Sequence, residues 1–112
     1  MTEVIFTENA DHKITGFVSS GHAEYSRRGH DIVCAAISIL TINSVNAIEK
    51  IAKADAEVEQ DGKTGRISLK LISEPDIRTE TILRSLVMGL REVSAEYGGK
   101  YCKVTIDEEV QC

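Results

Sequence analysis

At the start of the chain, Val4 and Phe6 alternate with Glu3, Ile5 and Thr7, which gives an opening strand one apolar face. Asn9-Ala10-Asp11-His12 then supplies turn chemistry, because Asn and Asp side chains bond the backbone locally. A second strand is predicted over residues 13–20, where Phe17 and Val18 carry the β propensity, and it ends at Gly21-His22. A polar stretch from Ala23 to His30 follows. Asp31 stands as a helix N-cap, and beyond it the apolar period becomes helical. Val33, Ala36, Ile37, Leu40, Ser44, Ala47, Ile48 and Ile51 form one stripe, and Ile39, Ile42 and Val45 form part of a second. A helix apolar around most of its circumference needs cover on more than one side, and a second subunit is expected to supply some of it.

Two more strands are predicted over residues 56–60 and 66–72, joined by the hairpin loop Asp61-Gly62-Lys63-Thr64-Gly65. Ser73-Glu74-Pro75-Asp76 breaks that pattern. Ile82, Leu83, Leu86, Val87, Leu90, Val93 and Tyr97 then repeat at helical spacing as far as Gly98-Gly99. A last strand over residues 101–106 precedes an acidic tail. The order ββαββαβ implies an α+β fold: a mixed, mostly antiparallel sheet with two long helices packed on one face. Residues 1–112 read as a single domain without repeat or linker.

Charge and composition narrow the function. With 13 basic and 18 acidic side chains in 112 residues, a net charge of -5 and 4% aromatics, the chain is poorly suited to wrap a phosphate backbone, so no direct nucleic-acid partner is expected. The longest mostly apolar stretch, residues 32–42, is about half of the roughly 20 residues that a bilayer span needs, so no membrane is expected either. Met1-Thr2-Glu3-Val4 has neither the basic opening nor the apolar run of a secretory signal. Cys34, Cys102 and Cys112 cannot all pair within one chain, and no two form Cys-x-x-Cys. A reducing, cytoplasmic compartment and at least one free thiol follow as expectations.

The segment from Gly21 to Ser38 holds the chemistry. If Asp31 caps the first helix, Cys34 is its third residue, where unpaired N–H groups and the positive end of the macrodipole favour an anion such as a thiolate. The plainer alternative is a small buried hydrophobe. A nucleophilic cysteine needs a base within reach. His22 stands at the end of a strand whose loop returns to the helix start, whereas His30, just before the cap, is held away by its backbone. His12 lies in a turn. Ser38, one turn after Cys34, could bond the thiolate, His22 or the carbonyl four residues back. Asp31 could orient His22 as the third member of a triad or simply cap the helix. Backbone N–H groups over residues 32–34 could form an oxyanion hole. Cys102 falls within the last strand and Cys112 ends the chain. His12, His22, His30 and Cys34 match no usual zinc spacing, so neither metal nor cofactor is expected. Gly62-Lys63-Thr64-Gly65 lacks the spacing of a phosphate loop. Arg27-Arg28 is either a solvated loop tip or a contact for a substrate carbonyl or carboxylate.

Gly21-His22-Ala23, Gly29, Asp31-Ile32-Val33-Cys34-Ala35-Ala36 and Ser38, in a chain of this length and element order, resemble the ribosomal-processing cysteine proteases of the Prp family. The resemblance implies a homodimeric, cytoplasmic bacterial endopeptidase. It would remove a short N-terminal extension from the large-subunit ribosomal protein numbered twenty-seven, cutting after an aromatic residue. It also implies Cys34 as nucleophile and His22 as general base, with Gly21, Asp31 and Ser38 shaping the site. The loop from Ala23 to His30 would order over the bound peptide, and the first helix would lie partly in the dimer interface. Two other classes stand against it. One is a non-catalytic dimeric binding or regulatory module associated with the ribosome, with Cys34 in its core. The other is a redox sensor, which needs an exposed Cys34 and a resolving cysteine.

Overall fold

The computed structural model describes residues 1–26 and 31–109. The elements run β1 (Thr2–Glu8), β2 (Ile14–Ser20), α1 (Ile32–Lys50), β3 (Ala56–Asp61), β4 (Arg66–Leu71), α2 (Ile77–Tyr97) and β5 (Cys102–Glu108). They form one five-stranded sheet in the order β3-β4-β2-β1-β5. β1 and β5 pair in parallel, and the other neighbours are antiparallel. The mixed, mostly antiparallel sheet expected from the sequence is therefore present.

Register puts the apolar residues on one face. Val4 lies opposite Ser19 and Phe6 opposite Phe17, while Phe17 and Ser19 face Leu69 and Ile67 on the other side of β2. Phe6, Phe17, Leu69, Val33, Ile37, Ile48, Leu83, Leu86 and Leu90 join a single buried cluster between the sheet and the two helices. Phe6 and Phe17 fill its centre with ring centroids 5.7 Å apart. Each helix starts at an aspartate whose carboxylate takes first-turn N–H groups, Asp31 for α1 and Asp76 for α2. Gly98, at φ +112°, ends α2.

Three details depart from the sequence reading. Val45, placed in the second stripe of α1, is buried, and Ile51, placed in the first, is exposed, because the helix has already reached its C-cap there. Asp107 and Glu108, read as an acidic tail, belong to β5, where they pair with Thr7 and Glu8 of β1. Backbone pairing does not depend on side-chain polarity, so the strand continues past its apolar residues. Finally, α1 is long and apolar enough by composition to cross a membrane, whereas the apolar stretch read in sequence, residues 32–42, was too short to do so. Its Val33, Ile37, Thr41, Ser44, Val45 and Ile48 are nevertheless buried in this fold.

Candidate active site

The site forms where β2 leaves the sheet. Gly21 has φ +86°, and a Cβ there would lie 2.5 Å from the Met1 carbonyl oxygen, so the bend requires glycine. His22 follows with its side chain exposed, and Ala23 turns back into the core. Burying the Ala23 methyl group aims its backbone N–H at Cys34, where it donates to Sγ at 3.0 Å. Glu24 takes a left-handed φ of 61° between these anchors. Tyr25 then stands edge-on to Tyr97 at 5.5 Å and to Tyr101 at 5.0 Å, which ties the loop to the end of α2 and the approach to β5.

Asp31 closes this loop onto the helix. Its Oδ1 accepts the Val33 and Cys34 N–H groups, both at 3.0 Å. Its Oδ2 accepts those of Tyr25 at 2.9 Å and Ser26 at 3.4 Å. Partial burial works against the charged form. The N–H groups of Cys34, Ser26 and Tyr25, with the Cys34 thiol adding to them, outweigh it and hold the carboxyl below the ordinary aspartate value. The triad role is thus not the one the structure gives Asp31: both oxygens serve backbone donors, and none of its bonds goes to His22. The oxyanion hole expected at residues 32–34 changes as well, because the Val33 and Cys34 N–H groups are already taken by Oδ1.

Cys34 is half-buried, with Val33 and Ile37 beside it in the core. It shares two cavities with His22. One, of about 180 Å³, lies between α1 and the β3–β4 hairpin, with Thr41, Ile42, Gln60 and Arg66 in its walls. The other, of about 480 Å³, lies beside the helix start, against Glu24, Ser26 and Ala35. A thiol and an imidazole thus stand where two cavities meet, an arrangement that suits a peptide passing on both sides of a reacting bond. Ser38 is exposed and lines both cavities. Among the described residues its hydroxyl bonds neither Cys34 nor His22, and the back-bond to a carbonyl four residues earlier is made instead by Thr41 and Ser44.

The other candidates lie elsewhere. His12 is paired with Glu8 at the far end of the sheet, with Nδ1 3.1 Å from Oε1. Cys102 is fully buried, and that burial pushes its thiol pKa up, so it is a poor resolving partner for a redox sensor. Arg27, Arg28, His30 and Cys112 lie outside the described residues, as does the second half of the loop from Ala23 to His30. Three contributors were missed in sequence: the Ala23 N–H, the Tyr25 anchor and Gly65 of the β3–β4 turn, which packs against the His22 ring. The second glycine of the hairpin loop was the available signal for the last.

The sequence profile of the family described as cysteine protease Prp matches residues 1–103. The chain belongs to the cysteine protease Prp family. It is accordingly a cysteine-type endopeptidase. The ribosomal processing cysteine protease Prp of Staphylococcus aureus is 30% identical over 97 residues, which cover 87% of this chain and 92% of that protein. Its Mycoplasma pneumoniae counterpart is 33% identical over 86 residues, covering 77% and 79%. The S. aureus protease with a covalently linked product peptide superposes with a TM-score of 0.89 at 27% identity, covering 96% of this chain and 100% of that one. With a substrate peptide it superposes at 0.80 and 26% identity, covering 97% and 100%. Of the two thiols described in this Prp-family chain, Cys34 meets the cavities and Cys102 does not.

Proposed function

We propose that this chain is a ribosomal processing protease that removes a short N-terminal extension from the large-subunit ribosomal protein numbered twenty-seven. Cys34 is its nucleophile, and His22 its general base and then its general acid. The observation that carries this reading is that Cys34 and His22 stand together in the walls of the same two cavities. The names of the S. aureus and M. pneumoniae relatives support the ribosomal substrate, and the peptide complexes of the S. aureus protease support peptide cleavage in this fold.

The chemistry follows the residues. His22 takes the thiol proton, and the Cys34 sulfur attacks the scissile carbonyl carbon, moving the π electrons onto oxygen. The Ala23 N–H, already beside Sγ, is the donor we assign to that developing charge. Collapse of the tetrahedral intermediate breaks the C–N bond, and His22 gives its proton to the leaving amine. Water activated by His22 then hydrolyses the thioester, which regenerates the thiol and releases the carboxylate.

A homodimer in the cytoplasm completes the reading. Ile32, Ala35, Ile39 and Ile42 are exposed along α1, and a second copy would cover them. The direct test incubates the protein with a peptide spanning the extension and cut site of that ribosomal protein, with products read by mass spectrometry. Cleavage at one bond, after the aromatic residue, is expected. An intact peptide together with a Cys34 inert to iodoacetamide would leave a non-catalytic binding module in its place.

A further inference from the structure

We propose that Gly65, in the turn between β3 and β4, is a positioning residue for the His22 imidazole. The inference rests on His22 being the general base. Gly65 has φ +72°, and a Cβ built on it would lie 3.0 Å from His22 Cε1 and 3.3 Å from Nδ1. The same atom would lie 2.9 Å from the Gly21 carbonyl oxygen. The Nδ1–Cε1 edge of the imidazole therefore rests directly on bare backbone, with no room for a methyl group between them.

This contact matters because, among the described residues, no carboxylate orients the His22 ring. Both Asp31 oxygens serve backbone donors, and among the described residues no hydrogen bond holds the His22 ring. Among the described residues, packing is what holds the ring. Along its own segment, His22 is fixed by Gly21 on one side, wedged against Met1, and by the buried Ala23 on the other. From across the sheet it is fixed by Gly65.

The turn is a firm stop. Asp61 Oδ1 accepts the Lys63 N–H at 2.9 Å within it, and Asp61 pairs with Arg66 across its base. β4 in turn pairs with β2 through Ile67 and Ser19, three residues before His22. The stop and the ring it meets thus flank the ends of two paired strands. A side chain at position 65 must displace either the ring or the turn. The ring has to give by a few tenths of an ångström, and the Gly21 carbonyl oxygen stands closer still. Because a misplacement of about 1 Å costs on the order of 100-fold in rate, the loss should show in kcat. KM is read beside it because Gly65 also lines the cavity between α1 and the hairpin.

The test compares Gly65→Ala with wild type on the same peptide, per iodoacetamide-reactive Cys34. We expect kcat to fall about 10- to 100-fold with KM within about threefold, and the His22 Hε1–Cε1 NMR cross-peak to move. Lys63→Ala, in the same turn but away from the ring, should leave kcat within about twofold. Gly65→Asn tolerates the positive φ better while still carrying a Cβ, and it replaces the alanine variant if that one does not fold. In wild type, a nuclear Overhauser effect should join His22 Hε1 to the Gly65 Hα protons.

The absence of that effect would overturn the proposal whatever the variants do. So would a wild-type kcat in Gly65→Ala, or a lost kcat with an unmoved His22 cross-peak. A His22→Ala protein that cleaves at the wild-type rate would instead remove the general-base reading on which the proposal rests. Loss of cleavage in His22→Ala alongside a wild-type Gly65→Ala would sink only the positioning role.

Discussion

Cys34→Ala should melt within a few degrees of wild type and lose cleavage of the precursor peptide by more than about 10⁴-fold, the scale on which removal of a nucleophile acts. The small thermal effect follows from the setting of the thiol. It is half-buried, and it loses the bond accepted from the Ala23 N–H, whose net contribution is about 1 kcal/mol, together with the thiol's own contact with Asp31. The Ala23 methyl group stays in the core and Asp31 stays on the helix start, so the local backbone has no reason to move. Turnover, by contrast, has no substitute thiol among the described residues: Cys102 is sealed beneath α2, with Sγ 4.0 Å from the Leu90 carbonyl oxygen. Differential scanning calorimetry beside a mass-spectrometric cleavage assay reads both quantities.

Asp31→Ala should have the opposite balance, with a larger loss of stability and a smaller loss of rate. One carboxylate holds four N–H groups, two at the start of α1 and two in the loop that carries His22 and Ala23 toward it. Removing an aspartate N-cap costs about 0.5–2 kcal/mol. The Tyr25 and Ser26 N–H groups are exposed and regain water, so they add little to the equilibrium. A fall in Tm of about 5–10 °C is expected. Cleavage should fall about 10- to 100-fold, because the Ala23 N–H is no longer held to the sulfur within the tolerance that the reaction needs.

The same carboxylate leaves a signature in pH. Its folded pKa is depressed, so its contribution is fully present above the unfolded value, near 3.9, and is lost as pH falls through the lower folded value. The wild-type Tm should therefore drop on acidification below about pH 4. Asp31→Asn should lack that part of the slope. Equal slopes in the two proteins would show that the four bonds do not favour the ionised form.

The fold was legible where information is local. The alternation of Val4 and Phe6, the stripe through Val33, Ile37 and Ile48, and the aspartate before each helix can all be read without knowing what packs where. Ile51 and Val45 were misplaced because a stripe says which residues share a face and not where the helix stops or how far its partners wrap round it. The site divides in the same way. Cys34 stood out because a helix start confers anion preference, and His22 because a strand end leads back to it. The second half of Asp31's role depends on the loop conformation at Tyr25 and Ser26. The contact of Gly65 with His22 depends on the pairing of β2 with β4, and no spacing along the chain encodes either.

Whether His22 serves Cys34 as its base is read from the rate of precursor cleavage by His22→Ala. The expected result is a folded protein whose kcat/KM falls about 10²- to 10⁴-fold while Cys34 remains open to alkylation. A folded His22→Ala protein that cleaves within about threefold of wild type would contradict it.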